Sequence, residues 1–330
     1  IRDIINRFNC CPLPRCWGTG KRVAADGTQY DLAEENLLAE KHIRYGGFGG
    51  IAYHHVSDMY ILLFSHFIAC GVWEAVHIID GLMKNQSDIQ PDTIHADTQG
   101  QNLPVFALSH LLGIKLMPRI RNWKDLKFYR PSKETHYHHI ESLFCEDAID
   151  WELIQTHWQD LLRVVLSIKA GKVIPSMLLR KLTSYSRKNR LYQAFRELGC
   201  VIRTIFLLQY ISDAKLREII HQTTNKVEQF NAFSKWLSFG NDGKIKALTA
   251  EESEKHIKYI DLLANAVILD NTFQLGKVLK GLIEEGWSIT RDELAMLSPY
   301  MTHHVKRFGN YVMDLETLPE PIEDDLPLPV

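Results

Sequence analysis

The chain has 330 residues, 45% hydrophobic and 24% charged, with a net charge of −2. That supplies apolar material for one large core or two smaller ones and an ordinary globular share of charge. It gives no support to nucleic-acid binding through bulk charge, so any basic surface must come from local clustering. No uninterrupted apolar run approaches the roughly 18 residues a membrane helix needs; the longest, 59–68, is broken by Ser65 and His66. The chain opens with Ile1 and shows no signal peptide, so it is expected to be a soluble, cytoplasmic piece of a longer protein.

Residues 1–20 contain Pro12, Pro14 and two glycines and read as a linker. Residues 22–30 (RVAADGTQY) read as a strand running into a turn at Asp26-Gly27. Residues 33–41 suggest a short helix, and 46–50 a flexible glycine turn. The runs 51–57 and 59–70 are apolar and β-leaning. Residues 72–84 carry an apolar stripe at helical spacing. A short strand at 93–96 ends at Asp97, a helix spans 103–112, and a further strand covers 114–120. This order predicts an α/β fold, a mixed sheet with flanking helices.

From 125 to 224 the spacing is helical and glycines are few, which reads as an inserted helical block with helices at 151–169, 174–184, 189–212 and 214–223. Glu228 lies in a further helix at 225–237 (NKVEQFNAFSKWL). Thr249 followed by Glu252 resembles a helix start, and helices at 251–270 and 272–285 follow. The tail 315–330 is acidic and Pro-rich and is expected to be disordered. The domain reading is therefore a linker at 1–20, a first sheet part at 21–124, an insertion at 125–224, the remainder at 225–314, and the tail.

Asp26 and Asp97 fall where strands are expected to finish, the place where open α/β sheets hold ligands. Alone, Asp26-Gly27 is a common turn pair and Glu228 one helix glutamate among many. Together, three carboxylates can bind divalent cations through oxygen. Paired cations roughly 3.5–4 Å apart suit attack of an oxygen nucleophile on a phosphodiester. No Ser/His/Asp arrangement and no phosphate-binding glycine loop competes with this reading. Cys70, Cys145 and Cys200 lie among apolar neighbours and read as buried thiols, and Cys10, Cys11 and Cys16 lack zinc spacing.

His54-His55 lies on a strand, so the two rings face opposite ways. His136, His138 and His139 read as a loop or interface cluster. His95, two residues before Asp97 on the same strand face, is a candidate DNA contact or an equally ordinary packed histidine. Basic residues cluster at Lys115, Arg119, Arg121, Lys124, Lys127, Arg130 and Lys133, with Trp123, Phe128 and Tyr129 interleaved. Arg180, Lys181, Arg187, Lys188 and Arg190 form a second group. Such side chains offset phosphate charge and aromatics stack on bases, although a solvated face has the same composition.

The motifs WGTGKRVAADGTQ around Asp26, YGGFGGIAYHHVSD at 45–58, DGLMKNQS at 80–87, HADTQG around Asp97, NKVEQFNAF around Glu228 and LSPYMTHHVKRFGNY near the end occur in one order. As a set the chain resembles the catalytic region of the Tn-three family of replicative transposases. It departs at Ala96 and Gln99, where relatives often carry threonine and histidine. The resemblance implies a ribonuclease-H-like catalytic domain of the DDE type, with a helical insertion before the glutamate and further helices at the C-terminal end. It implies Asp26, Asp97 and Glu228 as ligands of two Mg2+ ions, with Mn2+ able to substitute. It also implies 3′-end cleavage at terminal inverted repeats and attack of the freed 3′-OH on target DNA. DNA is then the partner, a homodimer the expected assembly of the full-length enzyme, and the bacterial nucleoid the place of action. The alternative is a non-catalytic helical DNA-binding or assembly module; a nuclease-like fold that hydrolyses RNA is an intermediate reading.

Overall fold

The computed structural model describes residues 1–330 apart from 42–46, 71–73, 185–188, 311, 313, 315 and 318–330, without the side chains of 98–99, 125 and 183–184. Arg187, Lys188, the first glycine of the 46–50 run and nearly all of the tail thus lie outside the described residues.

The first 20 residues are not a connector. They form α1 (Arg2–Cys10) and α2 (Pro14–Trp17). Ile5, Phe8, Leu13 and Trp17 are buried in the main core.

β1 (Arg22–Asp31) runs straight through Asp26-Gly27, where a turn was expected. Gly27 serves packing instead. A Cβ there would stand 2.5 Å from Glu74 Oε2 and 2.8 Å from Ile51 Cγ2. The expected helix at 33–41 is a set of turns. Asn36 anchors them by donating to Ala247 O at 2.6 Å and Ser253 Oγ at 2.9 Å. They lead to β2 (Glu40–Lys41), β3 (Phe48–Ser57) and β4 (Leu62–Ala69). Gly49 and Gly50 belong to β3, with the side chains of Gln29 and Phe67 filling the space above them. The helix expected at 72–84 is broken into a 3-10 turn at Glu74–His77 and α3 (Asp80–Lys84). β5 (Thr93–Ala96), α4 (Leu103–Leu111) and β6 (Lys115–Leu116) complete the sheet unit.

β1 lies between β3, which is antiparallel to it, and β5, which is parallel. β6 extends the parallel side beyond β5, and β4 and β2 pair with the other edge of β3. The protein is thus a mixed α/β structure, as expected. Because β5 is flanked on both edges and covered on both faces, all four of its residues are buried.

The block after the sheet is mainly helical, with one small parallel pair, β7 (Phe128–Arg130) and β8 (Phe144–Ala148). The helix expected at 151–169 divides at His157 into α5 (Trp151–Thr156) and α6 (Trp158–Lys169). α7 (Pro175–Ser184) and α8 (Arg190–Ser212) follow. Two separately expected helices fuse into α9 (Ala214–Leu237), capped by Asp213. Two more fuse into α10 (Ala250–Glu284), where Thr249 accepts from Glu252 N at 3.2 Å as its motif suggested. α11 (Arg291–Met296) closes the described helices with a full capping box at Thr290 and Glu293. α9 packs on β1, β3 and β5, and α10 on β4 and α9. One hydrophobic cluster runs from the sheet through α4 into α6 and α8, so the helical block shares the sheet's core.

Candidate active site

Asp26 sits in mid-strand on β1. Its Cα partner on β3 is His54, and the next pair, Gly27 and Tyr53, faces the other side of the sheet. On the parallel edge, Ala25 pairs with Ala96. Asp97, the first residue beyond β5, therefore stands next to Asp26 in the register. The backbone turns away there, with Gly100 N donating to Asp97 O at 3.0 Å.

Glu228 reaches this point from α9. The helix buries Val227, Phe230, Asn231 and Ser234 against the sheet, spacings of three and four that form one face. Two polar members of that face fix the helix along β1. Asn231 Nδ2 donates to Asp26 Oδ2 at 2.9 Å, and Ser234 Oγ lies 2.7 Å from Tyr30 OH. Lys226, midway along the same helix, donates to Trp17 O at 2.8 Å and Asp58 O at 2.5 Å and lies over the Tyr60 ring. Burial pushes its ammonium down to about 8.

The three acids share one electrostatic neighbourhood. Burial first, and then the charges of Asp97 and Glu228, together raise the Asp26 carboxyl well above the usual carboxylate range, to about 7. The Gly27 amide and His54 oppose this in part. Such a carboxyl is poised to gain from a divalent cation, which would replace its proton and offset the like charges. In the present side-chain arrangement, however, no three acidic, histidine or cysteine groups among the described residues are placed to hold one ion. Glu228 is turned to a different partner. Its Oε1 lies 3.2 Å from Arg119 Nη1 and 3.9 Å from Arg121 Nη2, with the carboxylate side chain 46% exposed.

The expected DNA contacts divide into five groups. His95 is wholly buried, faces Met117 O at 3.1 Å through Nδ1, and is held down to about 4 by burial; it has no surface to offer DNA. Arg130 is spent inside its own loop, 2.7 Å from Glu141 and bonded to the carbonyls of Cys145 and Thr135. Arg119 and Arg121 stand at the acids. Lys124 and Lys127 are exposed beside them, with Trp123 also exposed. Arg187 and Lys188 lie outside the described residues.

Several motif residues are structural. Asp58 accepts from Thr19 N, Thr19 Oγ1 and Gly20 N, clasping the loop that leads into β1. Asp80 accepts from Ser176 N at 3.1 Å and pairs with His77, tying α7 to the sheet unit. His54 and His55 do face opposite ways: His54 meets Asn231 of α9, and His55 meets Ile78 O. Sequence reasoning missed Asn231, although it lies one helical turn past Glu228 in a quoted motif. It also missed Glu74, whose carboxylate backs Gly27.

Two aspartates at neighbouring strand positions thus lie near a helix glutamate that is itself paired with two arginines. The chain belongs to the Tn3 transposase DDE domain family, whose model matches residues 1–311. It is 32% identical over 95% of its length to the transposase for transposon Tn1546 of Enterococcus faecium, covering 32% of that protein. It is 33% identical over 94% of its length to the transposase for transposon Tn501 of Pseudomonas aeruginosa, again covering 32%. The transposase for transposon gamma-delta of Escherichia coli strain K12 is 30% identical over 93% of the chain, which covers 30% of it. The chain thus spans about a third of the length of these relatives. Among the described residues no helix is long and apolar enough to cross a membrane.

Proposed function

We propose that this chain is the catalytic region of a DDE-type DNA transposase, acting on a ribonuclease-H-like core. The sheet order β4-β3-β1-β5-β6, with only β3 antiparallel to its central neighbour, supports that fold reading. The observation that carries the function is the register that sets Asp97 beside Asp26, with α9, the helix that carries Glu228, bonded to Asp26 through Asn231. A surface-turn role for these acids, as in a non-catalytic helical module, gives no reason for them to meet.

Asp26, Asp97 and Glu228 are the residues to hold two divalent cations, Mg2+ in the first instance or Mn2+. Bound there, such cations activate the attacking oxygen and stabilise the leaving one. The protein's own part is to hold the carboxylates, offset the phosphate charge and exclude competing nucleophiles. Arg119 and Arg121 are placed to pass from Glu228 to the DNA backbone, which returns Glu228 to the aspartates. Lys124 and Lys127 continue that contact outward, and Trp123 offers a stacking face. Cleavage at the 3′ transposon ends and 3′-OH strand transfer into target DNA follow as two uses of one site. Homodimerisation of the full-length enzyme fits the need to handle two ends.

The test is Asp97→Asn in the full-length protein. The expected outcome is loss of 3′-end cleavage in Mg2+ with DNA binding kept. Wild-type cleavage rates in that variant reject the assignment.

A further inference from the structure

Behind Asp26 lies a run of buried polar side chains, none of them an acid of the proposed cation site. Asn231, 7% exposed, donates from Nδ2 to Asp26 Oδ2 at 2.9 Å. Its Oδ1 faces His54 Nδ1 at 2.7 Å. His54 is fully buried, with its ring edge-on to Phe230. Its other nitrogen lies 3.6 Å from Oδ1 of Asp261, which is 1% exposed. The second Asp261 oxygen accepts from the Ser65 hydroxyl, and Lys258 Nζ caps Ser65 at 2.6 Å and 2.8 Å. The run thus crosses β1, β3 and β4 to α10.

Burying four polar side chains in series is costly, and an apolar core of the same shape is often as stable. What a connected network gives that apolar packing cannot is one fixed orientation. Asn231 has two ways to seat its amide. With Oδ1 occupied by the His54 N–H, only the NH2 end can face Asp26. That end donates to one carboxylate oxygen, fixes the plane of the group and leaves the other oxygen unclaimed by the helix.

Resting on the catalytic reading above, we propose that Asn231 is a positioning residue for the Asp26 carboxylate. It orients Asp26 as a cation ligand, and His54, donating from Nδ1 to its Oδ1, locks the amide that does so. Partners one bond behind a ligand typically tune metal affinity about 10- to 100-fold.

The experiment uses the full-length protein, with two readouts. One is Mn2+ affinity by calorimetry without DNA. The other is the Mg2+ concentration that half-saturates cleavage. Asn231→Leu fills the same space without the donor. It is expected to weaken Mn2+ binding and raise the Mg2+ midpoint by about tenfold or more, with the melting temperature preserved. A purely structural role moves the melting temperature and leaves the midpoint alone. Unchanged metal affinity in a folded Asn231→Leu protein overturns the proposal. Should that variant melt far below wild type, His54→Phe decides instead: it keeps Asn231 and a buried ring but removes the partner of the amide oxygen. A raised midpoint then supports the proposal and an unchanged one overturns it. Asp97→Asn separates the two levels. If it is inactive while Asn231→Leu binds Mn2+ as wild type does, only this inference falls; if it stays active, the catalytic reading falls first.

Discussion

Asp26 carries an unusual load for a strand residue: a carboxyl near 7, held by a neighbouring amide and facing two further acids. The sign of its effect on stability follows. A folded-state value above the unfolded one favours the folded protein below about pH 4, and that contribution is lost as pH rises through about 7. In metal-free buffer, stability is expected to fall across that window by roughly 2–4 kcal/mol at about 1.4 kcal/mol per unit. Asp26→Asn is expected to flatten this slope and to be the more stable protein at pH 8, as read by urea unfolding at several pH values. A wild-type slope in the variant contradicts the assignment. Divalent cation is expected to restore wild-type stability above pH 7 and to leave Asp26→Asn unmoved. The acids themselves were legible in the sequence because each sits in a recognisable motif. Asn231, His54 and Asp261 were not legible as a set, since nothing local links residues on β3, α9 and α10. Asp26-Gly27 misled for a different reason: the glycine answers to Glu74 across the sheet and not to a turn.

At the level of elements, the segment after β6 and helix α9 face each other through Arg119, Arg121 and Glu228. If the arginines serve DNA when it enters, neutralising Arg121 and Lys124 together is expected to weaken DNA binding about equally across sequences. It is also expected to lower the slope of log affinity against log salt by about 1–2. An unchanged slope removes this segment from the interface. Element existence was readable from periodicity, as the strand at Thr93–Ala96 and the helix at Leu103–Leu111 illustrate. Continuity was less so. α9 and α10 each run through a point where the sequence suggested a break, because tertiary packing along the whole helix outweighs weak local preference. The helix expected at 72–84 failed the other way: the chain turns at Glu74–His77 so that Glu74 backs the sheet and His77 meets Asp80. His95 looked like a DNA contact only while its burial was unknown, and Arg130 only while its partners within its own loop were.

Across the whole molecule, the helical block and the sheet unit meet where α8 crosses α4. Gly199 marks the closest approach: a Cβ there would stand 2.0 Å from Leu103 O. Gly199→Ala is expected to force the helices apart and to cost about 1–3 kcal/mol or more, seen as a lowered melting temperature. A neutral substitution shows that the two parts are less tightly joined than described. The C-terminal segment closes the body from the other side. Tyr300 OH donates to Tyr60 O at 2.8 Å, and Arg307 donates to Trp236 O at 3.0 Å while lying over its ring. Together with the stacking of Tyr300 on Phe233, the Arg307 bond ties residues 300–307 to α9, the helix that carries Glu228. The motif near the end of the chain thus finds a physical role in holding that helix, which composition alone could not reveal.

The most direct measurement is a crystal of the protein soaked in Mn2+, with the ions located by their anomalous scattering. The account predicts density between Asp26 and Asp97, with Glu228 rotated off Arg119 to join them. Ions bound elsewhere, or Glu228 still held by Arg119 with the aspartates bare at saturating Mn2+, contradict it.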